Sequence, residues 1–270
     1  MQNIHKQLEN PTSNFTMTKT ALIFGVANHR SIAWACVQSF LQRDYQVIFT
    51  YQNERFAKTA NELISSSPQV QAIQCNVEHD LPSLFRDRLP EIMGKDVTLD
   101  AIVHSVAYAP PDAMKEGSLL TTSRQAFLQA HDISAYSFLE TAQCAQPLLR
   151  EGASLTALSY LGAVRAVPNY NVMGPVKASL ESLVRGLALE LPHHRVNAVS
   201  AGPINTLAAR GISGFSHIRK DVEERAPLKR NVTVEEVADT IRFVATEATG
   251  MTGQTTYVDA GYSITAGPSI

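Results

Sequence analysis

Ala21-Leu22-Ile23-Phe24-Gly25-Val26-Ala27-Asn28-His29-Arg30-Ser31-Ile32-Ala33 opens the patterned part of the chain and decides how the rest is read. Four apolar residues end at a glycine, a short irregular stretch comes next, and an apolar helical pattern begins at Ser31. A strand, a tight turn and a helix N-terminus in that order let backbone N–H groups and the helix dipole receive a pyrophosphate. Of the three glycines in the dinucleotide fingerprint G-x-G-x-x-G, only Gly25 is present. On that fingerprint alone the stretch reads equally well as a plain strand-to-helix turn.

Outward from it, short apolar runs alternate with amphipathic stretches. The runs Val47–Tyr51, Val70–Cys75, Leu99–His104, Ser154–Leu158, Arg195–Ser200 and Thr255–Val258 join Ala21–Phe24 as seven predicted strands. Helices are predicted to begin near Ser31, Glu54, Leu81, Ser123, Asn171 and Val234. In the Ser123 segment Phe127, Ala130, Ser134, Phe138, Thr141, Ala145 and Leu148 recur every three or four residues, the period of one buried helical face. Continuous apolar strands alternating with helices mean a parallel sheet covered on both faces. The predicted fold is therefore α/β: a single Rossmann-like, doubly wound domain over residues 19–270, its seven-stranded parallel sheet flanked by helices. Residues 1–18 are polar and without period; they read as a flexible leader, with Met17 as an alternative start. Residues 202–230 break the rhythm with Gly202, Pro203, Gly211, Gly214 and Pro227 just after the sixth strand. Ligands of open α/β sheets sit beyond the carboxyl ends of strands, so this irregular segment is read as a loop that covers substrate.

Composition narrows the function. Of 270 residues 44% are hydrophobic and 18% charged, which excludes an extended disordered chain, and the formal charge of −2 disfavours a nucleic-acid partner. No charge-free apolar run reaches the roughly 18 residues that span a bilayer, so the reading is a cytoplasmic protein with no membrane partner. Cys36, Cys75 and Cys144 lie far apart and match neither a metal spacing nor a disulfide framework, and the eight histidines offer no ligand pair. No metal is expected.

Ser159, Tyr160, Tyr170 and Lys177 come after the fifth strand and lead into a helix. Tyr and Lys seven apart on a helix lie on nearly one face, and an ammonium near a phenol helps it act on developing charge. An isolated pair of this kind more often means a packed tyrosine and a solvated lysine. Here the pair stands where a doubly wound sheet places its ligands.

At these residues the chain resembles the bacterial NADH-dependent enoyl-acyl carrier protein reductases, a divergent branch of the short-chain dehydrogenase/reductase superfamily. The likeness spans about residues 19–265. It is carried by Gly25 with Ser31-Ile32-Ala33, Phe49-Thr50-Tyr51-Gln52, His104-Ser105-Val106, His131-Asp132-Ile133-Ser134, Leu158-Ser159-Tyr160-Leu161-Gly162, Pro168-Asn169-Tyr170-Asn171-Val172-Met173-Gly174, Lys177-Ala178-Ser179-Leu180-Glu181 and Ser200-Ala201-Gly202-Pro203-Ile204. Ordinary short-chain dehydrogenases carry Tyr-x-x-x-Lys; counted back from Lys177, Met173 stands at their tyrosine and Tyr160 at their serine. The spacing here is that of the enoyl reductases.

The resemblance implies hydride transfer from NADH to the β-carbon of a trans-2-enoyl thioester on acyl carrier protein, in fatty acid synthesis, by a homotetramer. It implies Tyr160, Tyr170 and Lys177 as catalytic residues, with Tyr170 donating to the enolate oxygen and Lys177 holding the nicotinamide ribose. Gly25, Ser31 and Ile32 are implied at the pyrophosphate, Gln52 at the adenosine ribose, Asn76 and Val77 at the adenine, and Val106 along the cofactor. Ile204, Asn205, Thr206, Leu207 and Ala208 are implied at the nicotinamide carboxamide, and Ala109 beside the substrate. NADH is expected in preference to NADPH, because Gln52-Asn53-Glu54-Arg55 offers no basic pair at its first positions. The chain departs from the family at Asn76, where aspartate is common, and at Asn205, where arginine is frequent. It departs again at Ala107 and Ala260, where glycine is usual. Pro175 is compatible with an intact helix only within the first turn. Two other readings share these residues: a paralogue that reduces another activated alkene, and a catalytically silent, cofactor-binding regulator. Retention of Tyr160, Tyr170 and Lys177 argues against the second.

Overall fold

The computed structural model describes residues 18–65 and 69–266, so nearly all of the predicted leader lies outside the described residues. Seven strands form one sheet: β1 (Thr20–Phe24), β2 (Gln46–Tyr51), β3 (Val70–Gln74), β4 (Leu99–His104), β5 (Leu149–Tyr160), β6 (Arg195–Ala201) and β7 (Thr255–Val258). Their order is β3-β2-β1-β4-β5-β6-β7 and every pairing is parallel. This is the predicted doubly wound sheet, with the strand order reversing between β1 and β4. Strand β5 starts five residues earlier than its apolar run, at Leu149, because Glu151 and Gly152 are exposed and carry no apolar signal.

The helices are α1 (Ile32–Leu41), α2 (Glu54–Ile64), α3 (Leu81–Ser83), α4 (Leu89–Met93), α5 (Arg124–His131), α6 (Ser137–Ala145), α7 (Met173–Glu190), α8 (Phe215–Arg225) and α9 (Val234–Thr246). One core packs α5, α6 and α7 on the sheet through residues such as Phe138, Val176 and Leu180. The other packs α1 and α9 on the opposite face through Trp34, Phe40 and Ile241. Strand β1 is buried along its whole length, as a strand covered on both faces must be.

Three local expectations are corrected. The Ser123 segment is two helices, α5 and α6, joined by a π-helical turn, Asp132–Tyr136. The wider turn rotates α5 relative to α6. Ala130, Ser134, Phe138, Thr141 and Ala145 are buried, whereas Phe127 is 41% exposed and rests on the His131 ring at 4.2 Å. The 202–230 segment is not irregular throughout, since it holds α8. That helix buries only Val222 and is braced by the i,i+4 pairs Arg219–Glu223, Lys220–Glu224 and Asp221–Arg225, so it has no apolar period to read. Finally, α7 begins at Met173 and not at Asn171, which leaves Tyr170 outside the helix. Pro175 is the third helical residue, within the turn whose N–H groups have no intrahelical partner, and Val176 N still donates to Val172 O at 3.2 Å. Lys177 lies in the unbroken helix that follows.

Ala260, where the family favours glycine, adopts φ 58° in the left-handed region. A β-carbon there costs about 1–2 kcal/mol, and glycine gives back roughly half through its greater unfolded-state entropy. Ala260→Gly is therefore expected to stabilise the fold by about 0.5–1 kcal/mol, raising Tm by about 2 °C in a thermal melt. A lower Tm would show that the surrounding backbone tolerates the alanine without strain.

Candidate active site

Beyond the carboxyl ends of β1, β4, β5 and β6 lie two adjoining hollows. A groove of about 360 Å³ runs from Gly25 past Gln52 and Asn76. A second cavity of about 390 Å³ holds Tyr160 and Tyr170. Lys177, Ala107, Leu158 and Thr206 line both, so the two meet over the point where the strand order reverses, the ligand position of this architecture.

The groove is shaped for a close backbone approach. Gly25 has φ 93°, and a β-carbon there would lie 2.3 Å from the Ser105 carbonyl oxygen, so only glycine fits between β1 and the loop after β4. Ser31 caps α1: its Oγ accepts from Trp34 N at 3.1 Å and donates to Asn28 O at 2.8 Å. Its hydroxyl thus builds the helix N-terminus that faces the groove. Gly25, Ser31, Ile32, Gln52, Asn76, Val77 and Val106 all line this hollow, and together they fit a dinucleotide. Asn76 is held by its own turn, its N–H donating to Asp80 Oδ2 at 2.7 Å and its Oδ1 accepting from Glu78 N at 3.3 Å. The Arg55 guanidinium lies over the Phe56 ring, 5.9 Å from its centroid.

Two asparagines, not a helix, place Tyr170. Asn169 and Asn171 stand on either side of it with φ 62° and 44°, the left-handed conformation that asparagine adopts more readily than most residues. Asn169 Nδ2 donates to Ser213 O at 3.1 Å, and Asn171 Nδ2 donates to Lys115 O at 2.7 Å and Ser118 Oγ at 2.9 Å. Tyr170 is 7% exposed, with its ring edge-on to Tyr160 at 4.7 Å. Among the described residues, no group hydrogen-bonds to either phenol. Burial pushes both phenols well above their ordinary value, so each stays protonated and able to donate.

Lys177 is 4% exposed, and its Nζ donates to Leu158 O at 2.7 Å. Burial pulls its ammonium down to about 8, with the Glu181 carboxylate acting the other way. An ammonium has three donors, so two remain for the hollows it lines.

The loop after β4 is fixed from below. Ser134, in the π-helical turn, accepts from Tyr108 N at 2.8 Å and donates to Tyr108 O at 2.9 Å. His104 is fully buried; its Nε2 meets Ser137 Oγ at 2.8 Å, and that hydroxyl donates to Ile133 O at 2.7 Å. Burial, reinforced by the Lys177 charge, holds this imidazole neutral with a pKa of about 3. These bonds set Ala107, Tyr108 and Ala109, which border the second cavity.

Of the segment expected at the nicotinamide, Ile204, Thr206 and Leu207 line the hollows, whereas Asn205 is exposed and lines neither. The side chain of Ala208 lies outside the described residues. Sequence reasoning missed Phe56 and Cys75 in the groove and Met114 and Phe215 in the cavity. Cys75 directly follows β3 and precedes Asn76, which the resemblance alone had placed, so the ligand position beyond strand ends was the signal that could have found it. Phe215 opens a helix without apolar period and gave no such signal.

The sequence profile of a family described as enoyl-(acyl carrier protein) reductase matches residues 25–263. The chain is 42% identical over 261 residues to the NADH-dependent enoyl-acyl carrier protein reductase of Bacillus subtilis, covering 94% of this chain and 99% of that one. It is 43% identical over 250 residues to the NADPH-dependent enzyme of Staphylococcus aureus, covering 90% and 96%. Among solved structures, the Bacillus cereus enoyl-acyl carrier protein reductase with NADP+ and indole naphthyridinone superposes with a TM-score of 0.87 at 41% identity, over 92% of this chain and 97% of that one.

Proposed function

The chain belongs to the enoyl-acyl carrier protein reductase family, and from that premise we propose that Tyr160, Tyr170 and Lys177 are the residues through which it works. The reaction is reduction of the trans-2 double bond of an enoyl-acyl carrier protein thioester in fatty acid synthesis, with NADH as the donor. The observation that carries the residue assignment is the junction of the two hollows: Lys177 lines both, and the unpartnered Tyr170 phenol lines the second.

When bound, the nicotinamide supplies a hydride to the β-carbon. Negative charge then develops on the thioester oxygen, and the Tyr170 hydroxyl donates a hydrogen bond to it. Tyr160 holds the Tyr170 ring by its edge and lines the same cavity. Lys177 would offer its free donors to the ribose hydroxyls, while Gly25, Ser31, Ile32, Gln52, Asn76, Val77 and Val106 would hold the rest of the dinucleotide. Ile204, Thr206 and Leu207 would meet the carboxamide, and Ala109 would border the acyl chain. Leu207, Ile212 and Phe215 line the substrate side from the segment carrying α8, which supports its role as the cover that excludes water. NADH is favoured over NADPH because Gln52 faces the groove and Arg55 is engaged on Phe56.

The test is loss of NADH absorbance with crotonyl and longer 2-enoyl thioesters, on carrier protein and on coenzyme A. Oxidation that is faster with carrier protein is expected. NADH binding without oxidation by any enoyl thioester would overturn the reading in favour of a silent regulator.

A homotetramer is proposed as the working state. Leu120, Leu128 and Leu189 are 98%, 58% and 84% exposed, and α5 and α7 carry the last two, which supports burial of these faces between copies. A monomer mass by light scattering at micromolar concentration would reject it. Among the described residues, no helix is long and apolar enough to cross a membrane.

Ala107 lines both hollows where the family has glycine. The family resemblance implies a pocket beside this position that takes diphenyl-ether inhibitors. An added methyl in a close-packed site costs about 1 kcal/mol or more, about fivefold in affinity. Ala107→Gly is therefore expected to tighten such an inhibitor at least about fivefold at saturating cofactor, with kcat little changed. Equal inhibition constants would show that the methyl does not intrude.

A further inference from the structure

Lys177 and Glu181 stand one turn apart on the same face of α7, and both are buried, 4% and 5% exposed. Each is tied to the end of β5. Lys177 Nζ donates to Leu158 O at 2.7 Å, and Ser159 Oγ donates to Glu181 Oε1 at 2.6 Å. The two anchors are consecutive residues, and Tyr160 comes next. A buried carboxylate is costly unless it is hydrogen-bonded and faces a positive charge, so its presence under the site calls for a role.

We propose that Glu181 is a positioning residue for cofactor binding: its carboxylate, anchored by Ser159, keeps the buried Lys177 ammonium charged and directed at the junction of the two hollows. This rests on the reading of Lys177 as the cofactor-holding residue.

The surrounding groups leave Glu181 that task. From β4, His104 faces Lys177 but is neutral. From β5 comes the partly buried Tyr160 and from the turn before α7 the buried Tyr170, two phenols that stay protonated. From β6, Ser200 is Ser159's register partner and uncharged, and β7 places Tyr257 next in that row. Tyr257 feels both Glu181 and Asp259, and it too is pushed up by burial. Asp259, at the end of β7, accepts from Gly261 N at 3.0 Å and Ser263 N at 2.8 Å. Arg165 acts on Tyr257 from the loop after β5. Burial lowers Lys177, and the Glu181 carboxylate one turn away on the same helix face opposes that.

A lysine lowered to about 8 with its carboxylate in place falls further when that carboxylate is neutralised. Residues one turn apart on a helix have β-carbons about 5–6 Å apart, and an opposite charge within about 4–6 Å shifts a pKa by roughly one unit or more. The bound state needs the charged lysine, so NADH affinity is lost as pH rises through the lysine pKa. The experiment measures the NADH dissociation constant by fluorescence from pH 6 to 9.5 on the full-length wild type and the Glu181→Gln, Ser159→Ala and Lys177→Met variants.

In Glu181→Gln the alkaline loss of affinity should begin about one pH unit lower, with near-wild-type affinity restored at pH 6. A general packing defect would not recover in this way. Ser159→Ala should fall between wild type and Glu181→Gln, and it carries the test alone if Glu181→Gln does not fold. A profile unmoved in these variants, or affinity equally poor at every pH, overturns the proposal. Lys177→Met should abolish the alkaline limb. If it does so while Glu181→Gln leaves the limb in place, only the role of Glu181 fails; if Lys177→Met keeps the limb, the reading of Lys177 fails with it.

Discussion

Tyr170→Phe is expected to lower kcat by about 10²–10³ while leaving the dissociation constant for NADH within about twofold of wild type. The ring would keep its place, since the packing against Tyr160 and the flanking turns at Asn169 and Asn171 do not involve the hydroxyl. Only the donor aimed at the developing enolate is lost. Removing one such preorganised donor costs about 2.7–4 kcal/mol in comparable sites. Burial keeps this phenol protonated far into the alkaline range, so the same deficit should appear at pH 6 and pH 8. Steady-state rates with crotonyl thioesters, beside NADH titrations by fluorescence, check both halves. A variant at the wild-type rate would remove Tyr170 from the chemistry.

How much of this site was legible in the sequence depends on the range of the forces involved. Gly25 was legible because an apolar run that ends at a glycine before a helical pattern marks a strand end, and strand ends locate ligands, whereas Gln52, Asn76 and Val106 were legible only through the family resemblance. Lys177 was legible for a different reason: seven residues from Tyr170, its spacing matched a family pattern, although Tyr170 does not share its helix. The left-handed backbone at Asn169 and Asn171 does the placing, and asparagine's tolerance of that conformation is too common a property to flag two residues among many. The π-helical turn at Asp132–Tyr136 was invisible as well, because an extra residue in a helix leaves the apolar stripe almost unchanged on paper. It turned only Phe127 out of the core, yet it brings Ser134 to both backbone groups of Tyr108. Contacts between chain segments far apart in sequence, such as Ser159 with Glu181 or Asn171 with Lys115, have no local signature at all.

Gly162 gives the sharpest test of how Tyr170 is held. A β-carbon at this position would lie 2.3 Å from Cδ1 and 2.6 Å from Cε1 of the Tyr170 ring, distances no real β-carbon keeps. The ring is rigid, buried and already edge-on to Tyr160, so it cannot yield at a flexible tip; it must swing out of its place. Gly162→Ala is therefore expected to cost about 1–3 kcal/mol of stability and to lower kcat by about 10-fold to 100-fold, because the phenol no longer meets the thioester oxygen. The two losses have one cause, and that makes them separable from a general defect. In the Tyr170→Phe background the same alanine should reduce kcat little further, since the donor is already gone, whereas independent effects would multiply. In a Tyr170→Ala background the stability cost should shrink, since the added methyl then enters space the ring has left. Rates and thermal melts of the four proteins Gly162→Ala, Tyr170→Phe, Tyr170→Ala and the Gly162→Ala/Tyr170→Phe double variant, with Gly162→Ala/Tyr170→Ala as the fifth, decide it. Multiplicative rate losses, or an undiminished stability cost without the ring, would mean that Gly162 serves the turn after β5 and not the tyrosine.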